Sequence, residues 1–394
     1  MQSMTLPIQA SLPAEGRLSK TLGYYAAFVL LGLISASLGP TLPGLAEQTH
    51  SRLGAISFLF TARAFGYLLG SLLVGRLYDR MPGHPLMAVG LGMMAVLMIF
   101  VPLVPLLWAL TGVLLLVGIV ESLLDVGGNT LIVWVHRREV GPFMNGLHFF
   151  FGVGAFLSPL VVARAIVISG EISWAYWTLS LVMLPVVVWL WFLPNPVSQT
   201  AARDGRSGTV NYLLVGGITL FMFLYVGAEV SFGGWIYTYA FTLSLADKSF
   251  AAYLTAAFWG ALTVGRLLSI PLAAHFKPGV ILFSHLGGCL ASVGLIILAP
   301  YSFITLWVGT LGLGLSMAPI FPTILSFSGR QMTITGKVTG WFLMVSSVGA
   351  MTLPWIIGQL VESIGPHIMM FILLIDLIGA VVILTGLFLY SGRR

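Results

Sequence analysis

Along the chain, uncharged apolar stretches of roughly twenty residues recur from Tyr24 to Tyr390, each long enough to cross about 30 Å of hydrocarbon as a helix. Cutting at the polar, proline and glycine punctuation between them predicts twelve helical spans, starting near residues 22, 53, 85, 107, 141, 173, 210, 249, 278, 301, 334 and 366. The connections are short, so almost all of the mass is expected within a bilayer. The longest holds Arg203, Asp204, Gly205, Arg206 and Ser207 and falls between spans six and seven. It divides the chain into a tail (residues 1–20), a six-helix bundle (21–196), a linker (197–209) and a second six-helix bundle (210–391). The halves echo one another: Gly154-Ala155-Phe156-Leu157-Ser158-Pro159 in span five matches Gly349-Ala350-Met351-Thr352-Leu353-Pro354 in span eleven, offset by 195 residues. The predicted fold class is an all-α membrane protein, with twelve transmembrane helices in two pseudo-symmetric bundles that can rock against each other.

Composition agrees. Only 8% of the 394 residues are charged and 58% are hydrophobic, whereas a soluble domain carries about a quarter charged residues. The net charge of +6 does not point to nucleic acid, because the basic residues are scattered through short connections and form no basic domain. They report topology instead. With the N-terminus in the cytoplasm, Arg17, Lys20, Arg76, Arg80, Arg137, Arg138, Arg203, Arg206, Lys277, Arg330, Lys337, Arg393 and Arg394 fall on the inner side, and only Arg52 and Lys248 outside. The expectation is a multi-pass protein of the cell inner (plasma) membrane with both termini cytoplasmic. No small-residue cleavage site follows the first apolar run, so that run is expected to be retained. The single cysteine, Cys289, stands apart from the seven histidines, so neither a disulfide nor a metal centre is expected, and no cofactor. With no phosphate loop and no exposed nucleophile beside a base, the chain does not read as an enzyme.

A charge at mid-bilayer costs about 2.5 to 3.5 kcal/mol on insertion scales, so each ionisable residue inside a span needs a partner or a purpose. Arg63, Glu121, Asp125, Glu229 and Asp376 are such residues. Glu121, Asp125 and Asn129 recur at i, i+4 and i+8 on one stripe of span four. Together with Thr130 they could ligate a sodium ion or hold an exchangeable proton. Alternatively Glu121 pairs with Arg63, leaving Asp125 as the freer group. Span five presents Asn145, His148 and Gly152 on one face, suited either to the hydroxyls of a sugar or to a gate. In span seven Glu229 lies mid-membrane, and Gly233-Gly234 leaves room for a helix break just before Trp235. Trp235 or Trp259 could stack on a pyranose ring, or simply pack. Arg266 could pair with Glu229 or snorkel to the cytoplasm, and Asp376 in span twelve is expected to pair with a polar group on span eleven or ten.

After span two the chain reads Gly75-Arg76-Leu77-Tyr78-Asp79-Arg80-Met81-Pro82-Gly83-His84, which resembles the inner-loop signature of the major facilitator superfamily. Asp79 there can meet basic groups at neighbouring helix ends, such as Arg137 or Arg138, locking the inner side while the outside is open. Gly39-Pro40-Thr41-Leu42-Pro43, Asp125-Val126-Gly127-Gly128-Asn129-Thr130, Met144 to Gly152, Tyr225-Val226-Gly227-Ala228-Glu229 and Gly233-Gly234-Trp235 are similar to the sodium-dependent glucose transporter-like proteins and, more distantly, to the fucose:proton symporters. The resemblance implies a monomer in the lipid bilayer that imports a glucose-like hexose by alternating access, coupled to a sodium ion or a proton. It also implies that Asp125 and Asn129 occupy functional positions of span four. Fucose symporters carry a further carboxylate in span one, where this chain has only Ser35 and Ser37. The alternative is a proton-coupled exporter of drugs or other amphipathic solutes. An exporter predicts an apolar cavity, and a sugar importer one furnished with Asn, His, Glu and Trp.

Overall fold

The structure, a computed structural model, describes residues 14–196, 211–332 and 336–391. Twelve helical segments are long and apolar enough to cross a membrane, and no strand forms among the described residues. Span one comprises α1 (Ala14–Ser35) and α2 (Leu38–Gln48), and span two α3 (Leu53–Ile56) and α4 (Phe58–Arg80). Spans three to six are α5 (Gly83–Phe100), α6 (Leu107–His136), α7 (Val140–Ser169) and α8 (Ser173–Phe192). The second bundle holds α9 (Tyr212–Thr242), α10 (Lys248–His275) and α11 (Pro278–Leu298). Span ten follows as α12 (Phe303–Met317) and α13 (Ile320–Gln331), then α14 (Gly336–Ile364) and α15 (Ile368–Ser391). The linker at 197–209, with Arg203 and Arg206, lies outside the described residues, as do Arg393, Arg394 and the side chains of Arg138 and Lys337.

The first helix starts earlier than its apolar run, because its polar lead is docked rather than solvated. Lys20 and Thr21 are buried, and Thr21 Oγ1 lies 2.7 Å from His136 Nε2 at the end of α6. Within a bilayer, apolar surface gives helices little reason to associate, and close backbone packing takes over. Gly154 of α7 abuts the Val29 carbonyl of α1, and Gly349 of α14 abuts the Phe223 carbonyl of α9. Each half thus joins its first and fifth spans through the same glycine of the repeated segment. Any side chain at either position would collide with the facing backbone.

The break expected in span seven is absent: α9 runs unbroken from Tyr212 to Thr242. Its glycines serve close approach instead. A Cβ built on Gly39 of α2 would stand 2.8 Å from the Gly233 carbonyl, and the Phe60 ring covers Gly234. Two of the breaks that do occur follow from proline. Pro40 and Pro322 lack the N–H that would bond the carbonyls of Ala36 and Ala318, and span one parts after Ser35 and span ten after Met317. No proline lies within α9.

One end of the molecule carries Arg76, Arg80, Lys277 and Arg330, and is the basic end. At the far end the bundles are sealed together. Gln359 Nε2 of α14 donates to the Gly54 carbonyl of α3 at 2.6 Å, the Leu53 N–H donates to Glu362 Oε1 at 2.6 Å, and Thr61 Oγ1 of α4 donates to the Met351 carbonyl at 3.1 Å. Near mid-depth Gly152 and Phe156 of α7 meet Thr263 and Gly260 of α10. Toward the basic end Leu72 and Leu73 of α4, Leu267 and Leu268 of α10 and Trp341 and Leu343 of α14 are all exposed.

Candidate functional site

On the basic side of the seal lies a cavity of about 330 Å³ built from both bundles. The first bundle supplies Ser35, Ala36, Gly39, Phe60, Arg63, Tyr67, Glu121 and Phe151, and the second Val226, Glu229, Val230, Gly233, Trp259, Phe321, Leu343, Ser346 and Ser347. The walls are mostly aromatic and aliphatic, with a few convergent polar groups, which is the usual make-up of a small-molecule site.

Two polar rungs join α4 to α6. Arg63 donates from Nε to Glu121 Oε2 at 2.7 Å and from Nη2 to Oε1 at 2.5 Å, while Nη1 donates to the Ser35 carbonyl at 3.0 Å. The Ser35 hydroxyl closes the set on Glu121 Oε1 at 3.1 Å. One turn toward the basic end, the Tyr67 hydroxyl donates to Asp125 Oδ2 at 2.5 Å, and Asn129 Nδ2 donates to Oδ1 at 3.0 Å. Residues four apart on each helix meet residues four apart on the other. The helices can stand close enough for this because Gly118 abuts the Arg63 carbonyl and Gly66 abuts the Leu115 carbonyl. Asp125 makes no ion pair among the described residues, whereas Glu121 is committed to Arg63. Thr130 is half-buried on the same helix.

On the opposite wall Glu229 and Arg266 form a long ion contact, Oε1 to Nη2 at 3.6 Å, so Arg266 turns inward rather than snorkelling. Trp259 contributes its ring to the wall, and its indole N–H finds no acceptor among the described residues. Trp235 is a different case. It is 1% exposed and donates to the Pro354 carbonyl at 3.0 Å, which makes it a packing residue and removes it from the solute site. Asn145 and His148 are exposed on α7 beyond the cavity toward the basic end, with the His148 ring edge-on to Phe28 at 6.1 Å. That position fits a vestibule or gate rather than the cavity itself. Asp376 is buried on α15, and neither oxygen has a hydrogen-bond partner among the described residues, so the expected pairing with span ten or eleven does not form.

The sequence profile of the Major Facilitator Superfamily matches residues 24–354. The chain belongs to the major facilitator superfamily. Within it, the chain is 32% identical over 355 residues to sodium-dependent glucose transporter 1 of Xenopus laevis, covering 82% of this chain and 72% of that protein. The crystal structure of the nucleoside transporter NupG superposes with a TM-score of 0.74 at 14% identity, over 94% of this chain and 98% of that one. A D-xylose-proton symporter superposes with a TM-score of 0.72 at 15% identity, over 93% and 97%. These likenesses establish the two-bundle fold of a multi-pass membrane protein.

The inner-loop segment lies at the basic end. Gly75, Asp79 and Arg80 are exposed, and Asp79 makes no ion pair among the described residues. Arg137 caps α6 with a positive φ of 52°. Sequence reasoning missed Tyr67 altogether. Its signal was present in the register: Tyr67 follows Arg63 by one turn, as Asp125 follows Glu121.

Proposed function

We propose that the chain is a secondary active transporter that imports a monosaccharide, a glucose-like hexose, by alternating access of the cavity to the two ends. The observation that carries this reading is the cavity wall. Glu229 can accept hydrogen bonds from two sugar hydroxyls, and Trp259 beside it presents an aromatic ring and a donor still lacking an acceptor. The polar faces of a sugar would meet Glu229, Ser346 and the Arg63–Glu121 pair, and its apolar face the rings of Trp259, Phe60 and Phe151. An exporter of amphipathic solutes would be served by the aromatic walls alone, and the charged groups facing them favour the sugar. The similarity to sodium-dependent glucose transporter 1 supports the same reading.

Asp125, held by neutral donors beside the cavity, takes the coupling cation, a sodium ion or a proton, with Asn129 and Thr130 at hand as further oxygen ligands. Glu121 serves chiefly as the partner of Arg63. The basic end faces the cytoplasm, in line with the distribution of Lys and Arg, so the conformation described is open inward. The test is calorimetric titration of the purified full chain with D-glucose and, separately, with a lipophilic amine. Saturable heat with glucose that weakens in Glu229→Gln is expected; binding of the amine alone, or glucose affinity unchanged by Glu229→Gln, overturns the assignment.

A further inference from the structure

Five carboxylate and guanidinium side chains stand in or against the cavity walls, and four are spoken for. Arg63 is paired with Glu121, and Arg266 with Glu229. Asp125 is the fifth, bound only by the hydroxyl of Tyr67 and the amide of Asn129, both uncharged. The set therefore carries one net negative charge. When the bundles rock and close over the basic end, an uncompensated carboxylate just behind the cavity wall is the group that most resists being shut away from water. One positive charge at Asp125 balances the set, and a second would leave it in excess.

Asp125 itself does not line the cavity, but Tyr67 does. Tyr67 forms part of the wall while its hydroxyl donates to Asp125 Oδ2, a residue outside the lining, at 2.5 Å. A phenol has one proton to donate. While that proton is held by the carboxylate, it is withheld from anything in the cavity. A cation or proton on Asp125 weakens the oxygen as an acceptor, and the hydroxyl is then free to turn toward a solute hydroxyl. Occupancy behind the wall thereby raises affinity in front of it, and by reciprocity the solute tightens the hold on the cation.

We propose that Tyr67 is the coupling residue of this protein, reporting to the solute cavity the single positive charge that Asp125 takes in each cycle. The proposal rests on the sugar reading above and deepens it. Asp376, a buried carboxylate with no partner among the described residues, lies on α15 outside the cavity lining and takes no part.

The test uses the full chain in proteoliposomes, with a membrane potential set by potassium and valinomycin and labelled D-glucose as the solute. The steady-state glucose gradient is read rather than the rate, because a merely structural defect slows transport without moving that equilibrium. One charge per sugar gives a tenfold gradient for every ~59 mV. The gradient should fall to near unity in Tyr67→Phe and in Asp125→Asn, at whatever rate it is reached, and should match wild type in Asp376→Asn. Runs with and without sodium at fixed pH name the carrier: loss of the gradient in sodium-free medium marks sodium, and its persistence marks the proton. A wild-type gradient in Tyr67→Phe would overturn the link. A hundredfold gradient per ~59 mV, or none, in a wild-type protein that exchanges glucose would overturn the single charge. Collapse in Asp376→Asn would move the charge to α15. Absence of any glucose flux in wild type would overturn the sugar reading, and the link with it.

Discussion

Replacing Arg63 with Met removes one partner of a buried ion pair and leaves the rest in place. Three donors go at once: two to Glu121 at 2.7 and 2.5 Å, and one to the Ser35 carbonyl at 3.0 Å. Glu121, with its side chain 6% exposed, keeps only the Ser35 hydroxyl. Breaking a buried pair in this way costs about 3–5 kcal/mol. The Arg63 side chain retains 14% exposure, and water from the cavity softens the loss, so the lower figure of about 3 kcal/mol is expected. That is about two orders of magnitude in the folded-to-unfolded ratio. Adding Glu121→Gln removes the stranded charge and still offers Ser35 an acceptor, so the double variant should lose only about 1 kcal/mol. The assay is unfolding of the purified protein in mixed micelles titrated with sodium dodecyl sulfate, followed by circular dichroism. A cost below about 1 kcal/mol for Arg63→Met, or a double variant that loses the sum of the two singles, would show that the pair is not the closed unit described here.

Three further outcomes are expected. Gly118→Ala drives a methyl into the Arg63 carbonyl, and overpacking of this kind should cost about 1–3 kcal/mol in the same unfolding assay; a neutral result would mean that α4 and α6 can separate freely. Gln359→Ala with Glu362→Ala removes three hydrogen bonds of the far-end seal, so Ser346→Cys in the cavity should become reactive to an impermeant maleimide from that end as well as from the basic end. Cys289 is fully buried and provides a silent background; labelling that stays confined to the basic end would place the seal elsewhere. Trp259→Phe keeps an aromatic wall but loses the indole donor, and glucose binding measured by calorimetry should weaken by about two- to tenfold, one net hydrogen bond; unchanged affinity would assign Trp259 to packing.

The architecture was legible because a bilayer demands it: every span must be apolar, about twenty residues long and internally hydrogen-bonded. The repeated Gly154 and Gly349 segments carried the two-fold relation, and the structure shows the reason in the paired approach of first and fifth spans. Less could be read of the site. The i, i+4 spacing of Glu121 and Asp125 put two carboxylates on one stripe, but which of them is neutralised depends on Arg63, Ser35 and Tyr67, which come from other helices. Gly233 and Gly234 suggested a break because glycine weakens a helix; in fact they make room for Gly39 and Phe60 of the other bundle. Trp235 and Trp259 could not be told apart by composition. The Pro354 carbonyl takes the proton of one and leaves the other without an acceptor, and only packing decides that.

The central claim is that this cavity carries a sugar together with a cation. The measurement that addresses it most directly is uptake of labelled D-glucose into proteoliposomes, under an inward sodium gradient and, separately, an inward proton gradient, with unlabelled sugars as competitors. Accumulation under one of the two gradients, abolished by Asp125→Asn and competed by related hexoses, is the predicted result. No uptake and no competition under either gradient, with lipophilic cations moved instead, would contradict it.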